Sequence, residues 1–189
     1  MKEMWQIEHP YVPFDYWAKE NLTCCQKTHI KRAACYVTIL TFLFAICHGA
    51  EYFMKVYFDG KALVFFPLLL VCGLILVYGL WTEHPNILIS YIVLVAGLLV
   101  ARMVTVTRVL ITLFDPKSNW SLEPTYRAFG VADEKGETVT SYALFHLGYA
   151  IFFIVVYVLF IYIIDKCRRY FIRLDEFKES QAHNLTYKR

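Results

Sequence analysis

Four apolar blocks in the sequence are each about as long as a helix that crosses a lipid bilayer. The hydrocarbon core of a bilayer is about 30 Å thick, and roughly 20 apolar residues in a helix span it. The blocks cover residues 33–50, 62–81, 87–107 and 142–164. The second block carries no charged residue, and the fourth is the most uniformly apolar. We therefore predict an all-α fold, a polytopic membrane protein whose four transmembrane helices form a bundle.

The composition favours the same class of protein. Of the 189 residues, 58% are hydrophobic and 19% are charged, whereas a soluble domain is nearer half apolar and a quarter charged. This balance excludes a disordered chain and a nucleic-acid module, and it disfavours an ordinary soluble enzyme. The expected surroundings are a lipid bilayer, with no nucleic-acid partner.

The basic residues outside the blocks predict an orientation. Lys and Arg concentrate in short cytoplasmic flanks of membrane proteins. Twelve lie in the N-terminal segment, the connection between the second and third blocks, and the tail, against five in the other two connections when Arg108 is counted with the third block. We therefore expect both termini in the cytoplasm, with a cytoplasmic segment 1–32, a transmembrane domain 33–164 and a cytoplasmic tail 165–189.

Three Asn-x-Ser/Thr sequons provide a separate test of this orientation. They begin at Asn21, Asn119 and Asn184. With both termini in the cytoplasm, only Asn119 faces the lumen or exterior, where glycosylation takes place. Asn119 is therefore the candidate N-glycosylation site, and the reverse topology would expose the other two.

The six cysteines do not form an extracellular framework. None lies in a predicted outer loop, which disfavours both tetraspanins and claudin-like proteins. Cys24, Cys25 and Cys167 lie close to the ends of predicted spans, where cysteines are candidates for reversible palmitoylation; the alternative is free thiols in a reducing compartment. Because Cys24, Cys25 and His29 lack the CxxC spacing and fourth ligand of a zinc knuckle, no metal site is predicted.

Ionisable residues within spans are costly and by default deserve a functional hypothesis. At 1.5 Å per residue, Arg102, His48, Glu51 and His146 fall at similar depths on three different helices. Together with Arg108 they form a candidate polar layer near the outer boundary of the membrane. Three interpretations are open: a structural pair between Arg102 and Glu51, arginines that extend outward to the headgroups, or a polar vestibule for a proton, an ion or a small anion.

Small residues predict where helices approach closely. Gly97 and Ala101 have the small-xxx-small spacing, and Gly73, Gly79 and Gly148 are further candidates.

The tail begins with basic and aromatic residues. Lys166, Arg168, Arg169 and Arg173 lie beside Tyr170, a composition that favours contact with anionic lipid. The tail then becomes acidic and ends in a polar stretch that we expect to be disordered.

No enzyme motif is present. The sequence lacks G-x-S-x-G, Walker A, H-E-x-x-H and G-x-G-x-x-G. We therefore predict a protein without catalytic residues or cofactors.

The entry to the first span carries a family resemblance. Its residues read Cys24-Cys25-Gln-Lys-Thr-His29-Ile30-Lys31-Arg-Ala33-Ala34. They resemble the cysteine-rich, His-aliphatic-basic entry to the first helix of lysosome-associated four-span transmembrane (LAPTM-like) proteins. The resemblance implies an endosomal or lysosomal protein that sorts or modulates other membrane proteins. The tail lacks the Pro-Tyr motifs that recruit ubiquitin ligases in that family.

Three functions are therefore in competition. The leading hypothesis is a non-enzymatic tetraspan adaptor or modulator of other membrane proteins, in endosomal, lysosomal or plasma membranes. The first alternative is a small-solute or proton-linked transporter or channel component that uses the polar layer. The second is a junctional or vesicle-shaping four-helix protein.

Overall fold

The computed structural model describes residues 14–15, 18, 21–22, 29–53, 60–115, 117–122 and 137–187, with side chains within the helices placed for 30–47, 66–114 and 140–181. These residues form four α-helices, which are α1 (Ile30–Phe53), α2 (Gly60–Thr82), α3 (Pro85–Phe114) and α4 (Glu137–Tyr187). An isolated antiparallel bridge joins Leu22 to His29. Within the described ranges no strand is present, so the prediction of an all-helical protein is confirmed.

Three helices are long and apolar enough to cross a membrane. The qualifying stretches are Ile30–Cys47, Pro85–Phe114 and Thr140–Gln181, and α2 contributes the shorter apolar stretch Phe66–Thr82. Large apolar side chains cover the outer faces of the helices, and the following are more than half exposed: Ile46, Leu74, Val93, Val100 and Phe152. Apolar faces of this extent are unsuited to water and suit lipid. The protein is an integral membrane protein on this basis.

The helices pack as a closed ring. The largest interface joins α3 to α4, the next joins α1 to α2, and α2–α3 and α1–α4 contacts complete the ring. We call the end where α1 begins and α2 ends the basal end of the bundle.

Buried positions on α3 and α4 repeat at spacings of three, four or seven residues. On α3 they are Leu88, Tyr91, Val95, Leu98, Arg102, Val109 and Thr112. On α4 they include Ala143, Ala150, Phe153, Tyr157, Phe160, Ile164, Cys167, Phe171 and Leu174. This is the a/d pattern of two α-helices that pack against each other with a left-handed supercoil. We call these positions the α3–α4 seam.

The fourth helix is much longer than the sequence analysis predicted. It runs from Glu137 to Tyr187, about 75 Å at 1.5 Å per residue. The expectation of a disordered polar tail was therefore wrong as far as Tyr187. The helix continues because no Gly or Pro follows Gly148 within it, and because Asp165 pairs with Arg169 at 2.7 Å, four residues later.

A two-residue turn joins α2 to α3. Glu83 adopts φ 54°, the left-handed conformation that usually follows a helix C-terminus. The amide of His84 then donates to the Gly79 carbonyl oxygen at 3.2 Å, which is the longer hydrogen bond of a Schellman motif. His84 is extended and Pro85 is the first residue of α3, as the restriction before proline and the preference for proline at helix starts require.

Two of the four glycines proposed as close-approach points have that role. A Cβ at Gly79 would lie 2.9 Å from Leu88 Cδ2, and one at Gly73 would lie 2.8 Å from the Phe42 ring. At Gly97 and Gly148 no atom of the described residues lies within 4 Å of that position, so their proposed role as close-approach points was wrong. Gly97 lies off the seam between Val95 and Leu98, which explains the error.

The contrast between two glycines gives a stability prediction. Gly79→Ala places a methyl group against the Leu88 and Ile87 side chains of α3, which must shift, and overpacking of this kind costs about 1–3 kcal/mol of unfolding free energy. Gly97→Ala adds a methyl group in open space and improves helix propensity, so we expect no loss or a gain of up to about 1 kcal/mol. The measurement is the unfolding free energy of each variant in detergent micelles. Equal losses in both variants would contradict the close approach of α2 and α3.

Candidate functional site

Arg102 occupies a seam position, which places its side chain inside the bundle. It follows Leu98 by four residues and precedes Val109 by seven. Its exposure is 7%. A charged residue at such a position must find partners among the facing helices. Arg102 therefore lies inside the bundle and does not extend outward to the headgroups, as one of the three interpretations would require.

Aromatic rings of α4 surround the guanidinium. Arg102 Cζ lies 5.1 Å from the centroid of the Phe153 ring and 5.5 Å from that of Tyr149. The guanidinium also interacts electrostatically with the Tyr157 hydroxyl, one further turn along α4. A cation over an aromatic face contributes about 0.5–2 kcal/mol, and more where water is excluded. Arg102 therefore fixes α3 against α4 at this level.

The rings that hold Arg102 also contact α1. The ring centroids of Phe44 and Phe153 are 5.1 Å apart, and those of Phe44 and Phe160 are 6.1 Å apart. Three helices thus meet around one cation.

Further polar groups continue from Arg102 through the core. The hydroxyls of Tyr91 and Thr41 are 3.2 Å apart, which joins α3 to α1. Cys72 of α2 and Tyr157 of α4 belong to the same buried core cluster as Tyr91. All of these residues are buried. We call Thr41, Cys72, Tyr91, Arg102 and Tyr157 the polar strip.

The polar strip contains one permanent cation and four neutral groups, with members from all four helices. Hydroxyl and thiol groups can donate and accept hydrogen bonds, while a guanidinium only donates. Such a set of groups can specify the relative rotation and register of the helices.

The other residues of the predicted polar layer lie in different places. His146 is half-buried on α4, seven residues before Phe153 and thus on the same face of the helix. His48 and Glu51 belong to α1, but their side chains lie outside the described part of the chain, so the Arg102–Glu51 pair stays a prediction. Arg108 is half-buried and donates from Nε to the Trp120 carbonyl oxygen at 3.2 Å, so it contacts the α3–α4 connection instead of the strip.

The beginning of the α3–α4 connection folds back onto α3. Thr112 Oγ1 accepts the Leu122 amide at 2.7 Å and lies 3.3 Å from Ser121 Oγ. Leu122 also packs with Val109 and Ala143, which holds this segment across the seam. Asn119 is exposed in the same segment, as a glycosylation acceptor must be. Residues 123–136 lie outside the described ranges.

The cysteines proposed for acylation also differ in placement. Cys24 and Cys25 lie outside the described residues, and their acylation stays a prediction. Cys167 occupies a seam position and is fully buried. Acylation of this thiol would require α4 to separate from its neighbours. Cys35, which the sequence analysis did not propose, is exposed.

At the basal end, one carboxylate joins three parts of the chain. Glu83 Oε1 lies 2.5 Å from Lys31 Nζ of α1, and Oε2 lies 3.3 Å from Lys178 Nζ of α4. The hydrogen bond from Lys31 is the main reason that the pKa of Glu83 lies below its ordinary value. We call Lys31, Glu83 and Lys178 the basal cluster.

The described N-terminal residues pack against the distal part of α4. Arg173 Nη2 donates to Asn21 Oδ1 at 2.9 Å, and Lys166 Nζ donates to the Leu22 carbonyl oxygen at 2.5 Å. The Phe14 ring lies 5.4 Å from Phe177. Asn21 is almost completely buried. The described N-terminal residues and the distal part of α4 thus form one packed unit.

Comparisons with known proteins identify no relatives: no family model, no curated protein and no solved structure matches the chain. The polar strip and the basal end are therefore interpreted from their own geometry.

The aromatic enclosure of Arg102 predicts energetic coupling between α3 and α4. Arg102→Ala removes the cation and leaves space between the helices, and we expect a loss of about 2–4 kcal/mol of unfolding free energy. Arg108→Ala is the control, because among the described residues it removes one hydrogen bond, to the carbonyl oxygen of the exposed Trp120, and should cost about 1 kcal/mol or less. A double-mutant cycle of Arg102→Ala with Phe153→Leu should give a coupling of about 0.5–2 kcal/mol. Strictly additive losses would contradict the contact.

The lowered pKa of Glu83 predicts a pH-dependent contribution to stability. A carboxylate whose pKa is lower in the folded than in the unfolded state stabilises the protein above its unfolded pKa, near 4.5. This contribution is lost as the pH falls through the folded pKa. Wild type should therefore exceed Glu83→Gln in unfolding midpoint at about pH 7, and the difference should shrink below about pH 4.5.

A second variant separates the charge of Glu83 from its backbone conformation. Glu83→Gly removes the same ion pairs but adopts positive φ without the steric cost of a side chain, about 1 kcal/mol. It should therefore be more stable than Glu83→Gln at every pH. A wild-type advantage over Glu83→Gln that does not change with pH would show that the ion pairs contribute nothing.

Proposed function

We propose that the chain is a non-enzymatic four-span protein of endosomal or lysosomal membranes that acts as an adaptor for other membrane proteins. Its binding surface is the cytoplasmic unit formed by the distal part of α4 and the N-terminal segment. The observation that carries this proposal is the continuation of α4 past residue 164, with Asn21, Leu22 and Phe14 packed on it. A helix of this length, contacted by the described N-terminal residues, offers a surface outside the bilayer.

Several features support the four-span topology. α2 contains 23 residues, about 35 Å of helix, which exceeds the thickness of the hydrocarbon core. The basal cluster brings together the start of α1, the end of α2 and the distal part of α4. An even number of crossings places all three on one side, and the excess of basic residues assigns that side to the cytoplasm. Burial of Asn21 agrees with a sequon that is not glycosylated.

The endosomal or lysosomal location rests on the LAPTM-like resemblance of residues 24–34. A tagged copy should appear on intracellular puncta. Accumulation at cell contacts would favour the junctional alternative.

The transporter alternative rests on one observation, the buried cation Arg102. It predicts flux through the purified protein in proteoliposomes, and loss of that flux in Arg102→Met at unchanged folding. The adaptor predicts no flux in either protein.

Topology and adaptor surface can be tested with matched variants. In sealed vesicles with the cytoplasmic face outward, an impermeant thiol reagent should label Ser180→Cys above the wild-type level. Lys117→Cys should react only after detergent is added. Both positions are exposed. Labelling of Lys117→Cys in sealed vesicles would refute the topology.

Charge reversal on the distal part of α4 tests partner binding. Glu176 and Glu179 are exposed and three residues apart on one face. Glu176→Lys/Glu179→Lys should lose co-purifying membrane proteins at unchanged stability, whereas Lys117→Glu should keep them. Retention of all partners by the first variant would refute this surface as the binding site.

A further inference from the structure

A groove lies along α4 where its apolar span gives way to its charged distal part. It has a volume of about 600 Å³ and is lined by Tyr162, Asp165, Lys166, Arg169, Ile172 and Arg173. Tyr162 belongs to the predicted span 142–164, and the other lining residues follow that span. The groove therefore joins a polar end to the apolar surface of the span.

An apolar stripe of α4 leads into this groove. Val155, Leu159, Tyr162 and Lys166 follow one another at intervals of four, three and four residues, so they share one face of the helix. The first three are 53%, 52% and 47% exposed. From Val155 to Lys166 the stripe measures about 16 Å along the helix axis. It thus offers an elongated apolar surface that ends in polar groups.

Three residues of the stripe also form a short sequence pattern that is associated with sterol contact. The pattern is a Leu or Val, a Tyr and a Lys or Arg at short intervals, and Leu159, Tyr162 and Lys166 match it. A match of this length is common in apolar helices and by itself identifies nothing. In this protein the three residues lie on one face of α4, and two of them line the groove.

The polar end of the groove suits a neutral hydroxyl group better than an anion. Asp165 and Lys166 carry opposite charges; Asp165 Oδ2 lies 2.7 Å from Arg169 Nη2, and Lys166 Nζ donates to the Leu22 carbonyl oxygen at 2.5 Å. A carboxylate accepts about four hydrogen bonds and an ammonium donates about three, so both groups can bind a hydroxyl in addition. A hydroxyl can donate to the carboxylate and accept from the ammonium, whereas a phosphate is repelled by the carboxylate.

We propose that this face of α4 binds a membrane sterol. The sterol hydroxyl lies between Asp165 and Lys166, the ring system packs on Tyr162 and Leu159, and the aliphatic tail follows Val155 toward the membrane centre. A rigid ring system loses little conformational freedom when it packs on the stripe, whereas flexible acyl chains lose more. The proposal goes beyond the adaptor function and does not depend on it, since sterol contact requires only that α4 crosses a bilayer.

Binding can be measured on the full-length protein in phosphatidylcholine vesicles, with a photoreactive cholesterol as the probe. The readouts are the fraction of protein that is cross-linked at increasing mole fractions of probe, and the positions of the cross-links. Labelling of wild type should be saturable and should lie between residues 155 and 166, because a site fills whereas contact with bulk lipid grows in proportion to the probe. Neither readout depends on topology, compartment or partner proteins, so failure here is distinct from failure of the adaptor proposal.

Two leucines of α4 provide a matched pair of variants. Leu159 and Leu144 are 52% and 55% exposed, and Leu144 lies fifteen residues away, near the other end of the predicted span. Leu159→Ala removes part of the surface that the sterol rings contact, and it should raise the half-saturating mole fraction of probe about threefold. Leu144→Ala removes the same atoms away from the groove and should change that value less than about 1.5-fold.

Competitors test the hydroxyl without any change to the protein. Unlabelled cholesterol should displace the probe. Cholestenone carries a carbonyl group in place of the hydroxyl and cannot donate to Asp165, so it should compete about tenfold more weakly. Dioleoylglycerol carries a hydroxyl on flexible chains, and it should also compete at least about tenfold more weakly than cholesterol.

Several results would overturn the proposal. Labelling that grows in proportion to the probe, or an effect of Leu159→Ala no larger than that of Leu144→Ala, would indicate contact with bulk lipid. Cholestenone as effective as cholesterol would show that no hydroxyl is bound at Asp165. Dioleoylglycerol as effective as cholesterol would identify a flexible lipid as the ligand.

Discussion

The α3–α4 seam is the contact on which most of the other features depend. It begins near the α3–α4 connection, where Leu122 packs with Val109 and Ala143, and it continues through Arg102 and Phe153. Beyond the N-terminal end of α3, the buried positions of α4 continue at the same spacing as far as Leu174. Because lipid is as apolar as leucine, the seam gains little from the hydrophobic effect within a membrane and relies on packing and polar contacts. Arg102 provides a contact of that kind.

The helices were predictable from sequence because apolar length alone identifies them. Each of the four predicted spans falls within one helix, although the ends of α3 and α4 were placed too early. A length criterion stops where charges begin, at Asp165, whereas the packing period continues through Cys167, Phe171 and Leu174. The spacing of three and four residues between apolar positions was present in the sequence and would have predicted the longer helix. It would also have assigned Arg102 to the interior and excluded Gly97 from an interface.

Other features depend on contacts between distant parts of the chain and could not be read from sequence. The left-handed conformation of Glu83 is normally a glycine position, and the ion pairs that accompany it come from residues 52 positions before and 95 positions after it. The polar strip is similar, since Thr41 and Tyr91 are 50 residues apart. Each of these residues alone resembles an ordinary core or surface residue, and only the closed ring of helices brings them together.

The uninterrupted length of α4 has a mechanical consequence. No glycine or proline follows Gly148 within α4, so we expect the part of the helix beside Arg102 and the part that contacts Asn21 and Leu22 to tilt together. From residue 164 to residue 187 the helix measures about 35 Å, and a tilt of about 10° within the bundle would move its far end by about 6 Å. A repacking around Arg102 that tilts α4 would therefore also move the described N-terminal residues that pack on its distal part, among them Asn21 and Leu22.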